Sequence, residues 1–279
     1  MRIPITMCHG ISWQPRLKKM RAHLNRLTAE RFEKYFQIAA EMGFHSISYD
    51  DLARWRAGKS ALPDRPIMFD FDHPDWSIGR IIEPIMSEFG YRGTLFVNTS
   101  PMEKIENPYY MKWDDLQRLV DLGWHIGAHT HNHYDLDYLA RKDPSGETIR
   151  EQLEMCDEML LAHLGIKPRD FAYTGTTWSQ VAEDQVRKRY RFARLWIIGP
   201  HYETDKGQVR YAELVGADGD DEIDGGPPYA VRYITERTDA FKLPSMELEY
   251  LIFEFDAFRS YLEGALEESA PNRHTQWTR

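Results

Sequence analysis

Two short stretches concentrate residues whose types and spacing could do chemistry. FDFDHPDW, Phe69 to Trp76, ends an apolar run with Asp70, Asp72 and His73, and GAHTHNHYDL places His129, His131 and His133 within five residues. A buried strand pays a desolvation penalty for every charge it carries, so three ionisable groups at its end imply a use for them. Phe71 points to the opposite side of an extended chain, which leaves Asp70 and Asp72 on one face. His129 and His133 stand at i,i+4, a spacing that puts two imidazoles on one face of a helical turn and His131 elsewhere. Two histidines alone form as readily a surface pair as a ligand pair. Joined by a carboxylate from another strand end, they make a His₂-carboxylate set with positions left open for water and substrate. Asp72 can be that third ligand, and Asp70 is then free to act as base on a metal-activated water.

The elements that must position these residues alternate regularly. Short apolar runs at 3–9, 45–49, 65–72, 93–98, 124–129, 170–174 and 192–199 read as strands. Between them, amphipathic stretches at 27–43, 50–58, 79–90, 113–123, 147–165 and 179–190 read as helices; the first has Thr28 as N-cap and Gly43 as its stop. This rhythm predicts an α/β fold of parallel strands joined by helical crossovers, and it admits either a barrel or an open doubly wound sheet. In both, ligands sit at the carboxyl ends of the strands, where Asp70, Asp72, His129 and Tyr173 all fall. From about 199 to 244 the pattern dissolves into an irregular acidic stretch that includes GADGDDEIDGGPPY. That stretch reads as a solvated loop; it lacks the closing glutamate of a calcium-binding loop. Residues 248–266 read as a closing helix.

The chain has 279 residues, with 35 Lys and Arg against 44 Asp and Glu, a net charge of −9. That balance argues against a nucleic-acid partner that needs a broad basic face. No apolar run approaches the roughly 20 residues of a membrane span, and the amino-terminal stretch lacks the apolar region of a signal peptide. The two cysteines, Cys8 and Cys156, form no CxxC pair, which fits a reducing compartment. The expectation is a cytoplasmic protein with no nucleic-acid partner and no membrane span.

These stretches resemble the metal-dependent polysaccharide deacetylases of carbohydrate esterase family 4, the nodulation-type deacetylase homology domain. HTHNHYDL is similar to that family's H-[ST]-x-x-H motif with its apolar tail, and FAYTGTTW resembles an F-A-Y-P-x-G motif with Thr174 in place of proline. ALPDRPIMFDFD and ISYDDLARWRAGK are similar to the approach to the family's T-F-D-D-G motif, so the resemblance spans roughly residues 1–200. It implies a distorted (β/α)7-type barrel over residues 1–279, one domain with the acidic insertion at about 200–245 and the closing helix. By motif order it implies Asp70 as base and Asp72, His129 and His133 as metal ligands, with the reverse assignment of the two aspartates open. His73 stands where the family has glycine and reads as a bystander, an extra ligand or a substrate contact. No C-terminal L-H-D occurs, but ITMCHGI resembles the M-Y-H-G-V start of a circularly permuted branch, which makes His9 the candidate general acid. The backbone N–H of Tyr173 is the implied oxyanion donor. Trp76, Tyr109, Tyr110 and Trp178 are candidates for a sugar-stacking platform, and Arg169 for orienting the catalytic carboxylate or for a plain surface role.

The implied cofactor is one divalent metal ion, zinc first, with nickel, cobalt or iron also suited to such ligands. The implied reaction removes an N-acetyl or N-formyl group from an amino sugar in a polysaccharide or its precursor. A hydrolase of small linear or cyclic amides would use the same site on the same fold. A carbohydrate-binding pseudoenzyme is a third reading, against which the retained Asp70 argues, since binding alone needs no base.

Overall fold

A computed structural model describes residues 1–11, 27–103, 108–197, 201–210, 213–214 and 232–266. The acidic stretch GADGDDEIDGGPPY lies outside them.

Strands and helices alternate as the hydrophobic pattern requires. β1 (Ile5–Cys8) is followed by α1 (Ala29–Glu41), whose Thr28 hydroxyl accepts a hydrogen bond from the Arg31 N–H as an N-cap does. The two-residue β2 (His45–Ser46) leads into α2 (Tyr49–Arg56), opened by a reciprocal capping box between Ser48 and Asp51. β3 (Pro66–Asp72) is buried along its whole length, and a π-helical turn at Ile78–Ile82 leads from it into α3 (Glu83–Glu88). Then come β4 (Thr94–Val97), α4 (Trp113–Asp121), β5 (His125–Ala128), α5 (Leu136–Lys142) and α6 (Glu147–Leu164). β6 (Asp170–Ala172), the short β7 (Thr177–Trp178), α7 (Gln180–Arg187) and β8 (Phe192–Arg194) follow. A hairpin of β9 (His201–Thr204) and β10 (Gly207–Arg210) precedes β11 (Met246–Glu247) and α8 (Phe255–Leu266).

The main sheet runs β11-β1-β3-β4-β5-β6-β8, with β2 added at the foot of β3, and every pairing in it is parallel. Its two ends approach each other. Arg194 and Ile197, at and beyond β8, bridge in parallel to Leu243 and Met246, and Leu195 N–H and Ile197 N–H donate to the carbonyls of Leu243 and Ser245. These bonds draw the seven-strand path round into the distorted (β/α)7 barrel that the family resemblance implies, and decide between the barrel and the open sheet that the residue pattern left possible. The expected closing helix at 248–266 forms only from Phe255. The chain before it is needed as a strand, because Met246 and Glu247 pair with Thr6 and Met7.

Outside the sheet, Phe71 packs its ring 5.3 Å from that of Trp124 under the helices. Inside, Phe96 from β4 lies edge-on to Tyr49 at 5.5 Å, with the Arg194 guanidinium 5.0 Å above its ring. Gly127 in β5 leaves room for that ring, since a Cβ there would lie 2.4 Å from the Phe96 ring and 3.1 Å from the Asp170 carbonyl. Gly127→Ala is therefore expected to destabilise the protein by about 1–3 kcal/mol, the range for overpacking. A thermal melt of the variant checks this, and an unchanged midpoint would show that Phe96 is free to move aside.

Candidate active site

The chain leaves β3 at Asp72 and turns at once. His73 has φ 67°, and Thr130 and His133 have φ 63° and 57°; among the described residues these three are the only non-glycines in the left-handed region. Such backbone costs of order 1–3 kcal/mol per residue and clusters where structure is held for a purpose. Here its effect is visible in the rings. His73, His129 and His133 have pairwise ring-centroid distances of 5.2, 4.6 and 4.8 Å. One ring nitrogen from each lies within 4.8 Å of the others.

Two of the rings are oriented by acceptors behind them. His73 Nδ1 lies 2.9 Å from the Asn98 side-chain oxygen, and His129 Nδ1 lies 2.8 Å from the Ala172 carbonyl. Both Nδ1 atoms therefore carry the proton and donate it, which turns the Nε2 lone pairs into the site. Burial drives the His129 imidazole down to about 3, against the pull of Asp72, and drives His73 well below its ordinary value, with His129 and His9 adding to the effect. Neutral imidazoles with inward lone pairs are what a metal ion requires.

Beneath the trio, one guanidinium holds both aspartates. Arg194 is fully buried, as are Asp70 and Asp72. Its Nη2 donates to Asp72 Oδ1, its Nε lies 3.1 Å from Asp70 Oδ2, and its Nη1 donates to the Ser245 hydroxyl at 3.2 Å. Tyr49 OH adds a 2.7 Å hydrogen bond to Asp70 Oδ2. Burial pushes the Asp70 carboxyl up to about 7, with Arg194 and Tyr49 opposing. Burial acts the same way on Asp72, but Arg194, His129 and His9 together overcome it and hold that carboxyl well below the usual range. Asp72 Oδ2 remains turned toward the histidines, 4.0 Å from His129 Nε2.

The structure adds to the group expected from the sequence. The third group meeting His129 and His133 is His73, brought round by its positive φ, while Asp72 stands behind with one oxygen on Arg194. Asp70 lies one pleat deeper; Tyr49 and Arg194 share its Oδ2, while its Oδ1 makes no hydrogen bond among the described residues. His129 and His133 are not on a helical turn; the segment is an irregular loop in which the Thr130 hydroxyl accepts from His133 N–H at 3.0 Å. His131 does point elsewhere, to the Thr99 hydroxyl at 2.8 Å.

The Tyr173 N–H, expected as an oxyanion donor, is committed to the Arg194 carbonyl at 3.0 Å as part of the sheet. Arg169 lies at the opposite end of the strands, just before β6, in a cleft of about 200 Å³ with Asp50, Arg54 and Arg191. Trp178 donates its indole N–H to Glu183 at 2.9 Å and lines a separate cleft of about 380 Å³ beside the β9–β10 hairpin. Trp76 is half-buried just past β3, and its N–H donates to the Tyr109 carbonyl at 3.1 Å. His9, at the end of β1, stacks on His73 with ring centroids 5.4 Å apart. Arg194 and Asn98 went unnoticed in the sequence, although an arginine inside the apolar run FARLWII and an asparagine closing GTLFVN were both visible there.

Removing Arg194 should expose how much depends on it. Arg194→Met leaves two buried carboxylates without their cation, and breaking a buried pair in this way costs about 3–5 kcal/mol. The folded-state pKa of Asp72 is depressed, so its contribution is present above the unfolded value near 4 and is lost as pH falls below it. The deficit of the variant should thus be largest at neutral pH and shrink toward acid. Denaturant unfolding at several pH values measures this, and a pH-independent deficit would contradict it.

Comparison with known proteins agrees with this architecture. The polysaccharide deacetylase family model matches residues 59–192. No curated protein sequence matches the chain significantly. Among solved structures, the Streptococcus pyogenes deacetylase PplD in complex with acetate is similar at a TM-score of 0.67 and 13% identity, over 96% of this chain and 99% of that one. A de-N-acetylase from Aggregatibacter actinomycetemcomitans is similar at 0.67 and 13%, over 94% and 100%. BC0361, a polysaccharide deacetylase from Bacillus cereus, is similar at 0.64 and 15%, over 94% of this chain and 69% of that one. At these identities the likeness is one of fold, and it agrees with the family match: residues 59–192, a little under half of the chain, are similar to the polysaccharide deacetylase domain.

Proposed function

We propose that this protein is a metal-dependent N-deacetylase acting on an acylated amino sugar in a polysaccharide or its precursor, with His73, His129 and His133 as the metal ligands and Asp72 as the base. The observation that carries the reading is the convergence of three ring nitrogens beside a buried carboxylate that Arg194 pairs from behind. The donor set fits a cation: the lone pairs are neutral, inward-facing and fixed from behind, and three imidazoles with an open fourth position suit zinc best. A bound divalent ion would lower the pKa of a water and polarise the amide carbonyl.

The chain's own residues supply the proton transfers. Asp72 Oδ2 takes the proton of the attacking water, while Arg194 on Oδ1 fixes the carboxylate and keeps it ionised. Asp70, held by Tyr49 and Arg194, positions that guanidinium. His9, stacked on His73 across from the aspartates, gives a proton to the departing amine. The products are acetate, or formate from an N-formyl substrate, and a free amino sugar. Burial of Asp72, His129 and Arg194 keeps bulk water from these groups, so each charge acts at low dielectric.

Asp72→Asn should lower turnover by about 10²–10⁴, the usual contribution of a positioned base, without loss of metal. Asp70→Asn should cost much less, and His73→Ala should lose the metal. Acetate release from a panel of N-acetylated oligosaccharides, read together with metal content, tests all three. Metal loss from Asp72→Asn with retention in His73→Ala would restore Asp72 as the ligand.

Chelation offers a check without substitution. Treatment with a strong chelator should abolish acetate release, and one equivalent of zinc should restore it. Full activity in thoroughly metal-free protein would refute the metal-dependent reading.

A further inference from the structure

Beside the histidine trio lies a second group of ligand-type side chains, of which the deacetylase reading uses only His9. His9 Nδ1 is 3.8 Å from Glu247 Oε1 and 3.8 Å from Glu249 Oε1. The ligand atoms of all three residues lie within 4.8 Å of one another. Both glutamates are completely buried and His9 is 9% exposed.

The fold places this group by register. Met246 and Glu247 pair with Thr6 and Met7, and Leu248 N–H donates to the Met7 carbonyl at 2.9 Å, which brings the end of β11 level with His9. Ser245, whose hydroxyl meets Arg194, marks the inward face of this segment, and Glu247 follows it by two residues.

What is missing is a partner. The Glu249 Oε1 accepts from His9 N–H at 3.1 Å, but His9 Nδ1, both oxygens of Glu247 and Oε2 of Glu249 make no hydrogen bond among the described residues. Nor does any lysine or arginine among the described residues form an ion pair with either glutamate. Two facing carboxylates are costly to bury, and burial together with Glu249 pushes the Glu247 carboxyl up to about 11, so without a cation the pair has to hold a proton in its place. One imidazole nitrogen and two carboxylate oxygens are a suitable ligand set for zinc, manganese or iron. Ligands at about 2.0–2.2 Å around a tetrahedral ion stand roughly 3.3–3.6 Å apart, so the 3.8 Å separations need to close by only a few tenths of an ångström.

We propose that His9, Glu247 and Glu249 form a second divalent-cation site, adjoining the histidine trio through the stacked His9 and His73 rings. A cation on His9 Nδ1 excludes the protonated imidazole. On the deacetylase reading, from which this consequence follows, filling the second site removes the proton donor, and excess metal inhibits the enzyme that the first equivalent activates.

The test is a titration of metal-free full-length protein with zinc. Binding is followed by calorimetry, and metal content is measured after gel filtration. Wild type should bind two ions per chain, Glu247→Gln/Glu249→Gln one, and His73→Ala/His129→Ala one, the last held by the second site. The glutamine changes are isosteric, circular dichroism confirms folding of each variant, and the wild-type count needs no variant at all. A single ion in wild type, kept by the glutamine variant and lost by the histidine variant, would overturn the site. Wild-type acetate release should peak near one equivalent and fall at least fivefold as the second ion binds. Because binding is counted without turnover, failure of the deacetylase reading and failure of the second site give different results.

Discussion

The arrangement of the barrel interior depends on one buried cation. Arg194 reaches from β8 to both aspartates of β3, with no exposure of its own and almost none of theirs. A guanidinium suits this task because its planar fork can address two carboxylates and a hydroxyl at once while staying charged. One positive charge cannot balance two negative ones, and the imbalance is resolved unequally. Asp72 accepts from Arg194 Nη2 and is held toward the ionised form, whereas Asp70 is pushed toward the protonated form and takes a hydrogen bond from Tyr49. On the deacetylase reading proposed above, the buried network thereby sets which carboxylate is available as a base. It also ties β3 to β8 across the interior, near the place where the chain leading into β11 closes the barrel.

The second constraint is local strain. A regular strand would send His73 to the face opposite Asp72. The left-handed turn at His73 brings the ring back over the same mouth, and matching turns at Thr130 and His133 shape the loop that carries the other two imidazoles. Asn98 and the Ala172 carbonyl hold two of these rings at the ends of β4 and β6, and the rings themselves follow β3 and β5, so four successive strand ends build the trio. The cost of the strained backbone is met by the packed strands beneath it, as is usual for sites whose geometry is fixed before ligand arrives.

Much of this was legible in the sequence. Strand and helix alternation gave the parallel α/β architecture, and the HTHNH and FDFDH stretches marked the mouth where ligand-type residues gather. His129 and His133 were visible as a pair because residue type and spacing alone single them out. Period-2 logic correctly put Asp70 and Asp72 on one face, but it could not show how deep each sits or that Arg194 rises between them. The same logic left His73 open as a bystander, an extra ligand or a substrate contact, since a positive φ in a non-glycine residue leaves no mark in the residue pattern. Glu247 and Glu249 were hidden inside MELEYLIFEFDAF, a run whose apolar spacing suits a helix until β1 claims its first residues as a strand. Both the place of Arg194 and the late start of the closing helix were decided by contacts distant in sequence.

The central claim is that three histidines hold the metal while Asp72 stands behind them as the base. Anomalous diffraction from crystals grown with one equivalent of zinc tests it most directly. The account predicts a single strong peak about 2.0–2.2 Å from nitrogens of His73, His129 and His133, with Asp72 outside coordination distance and still joined to Arg194. A peak bonded to Asp72, with His73 turned away, would contradict it.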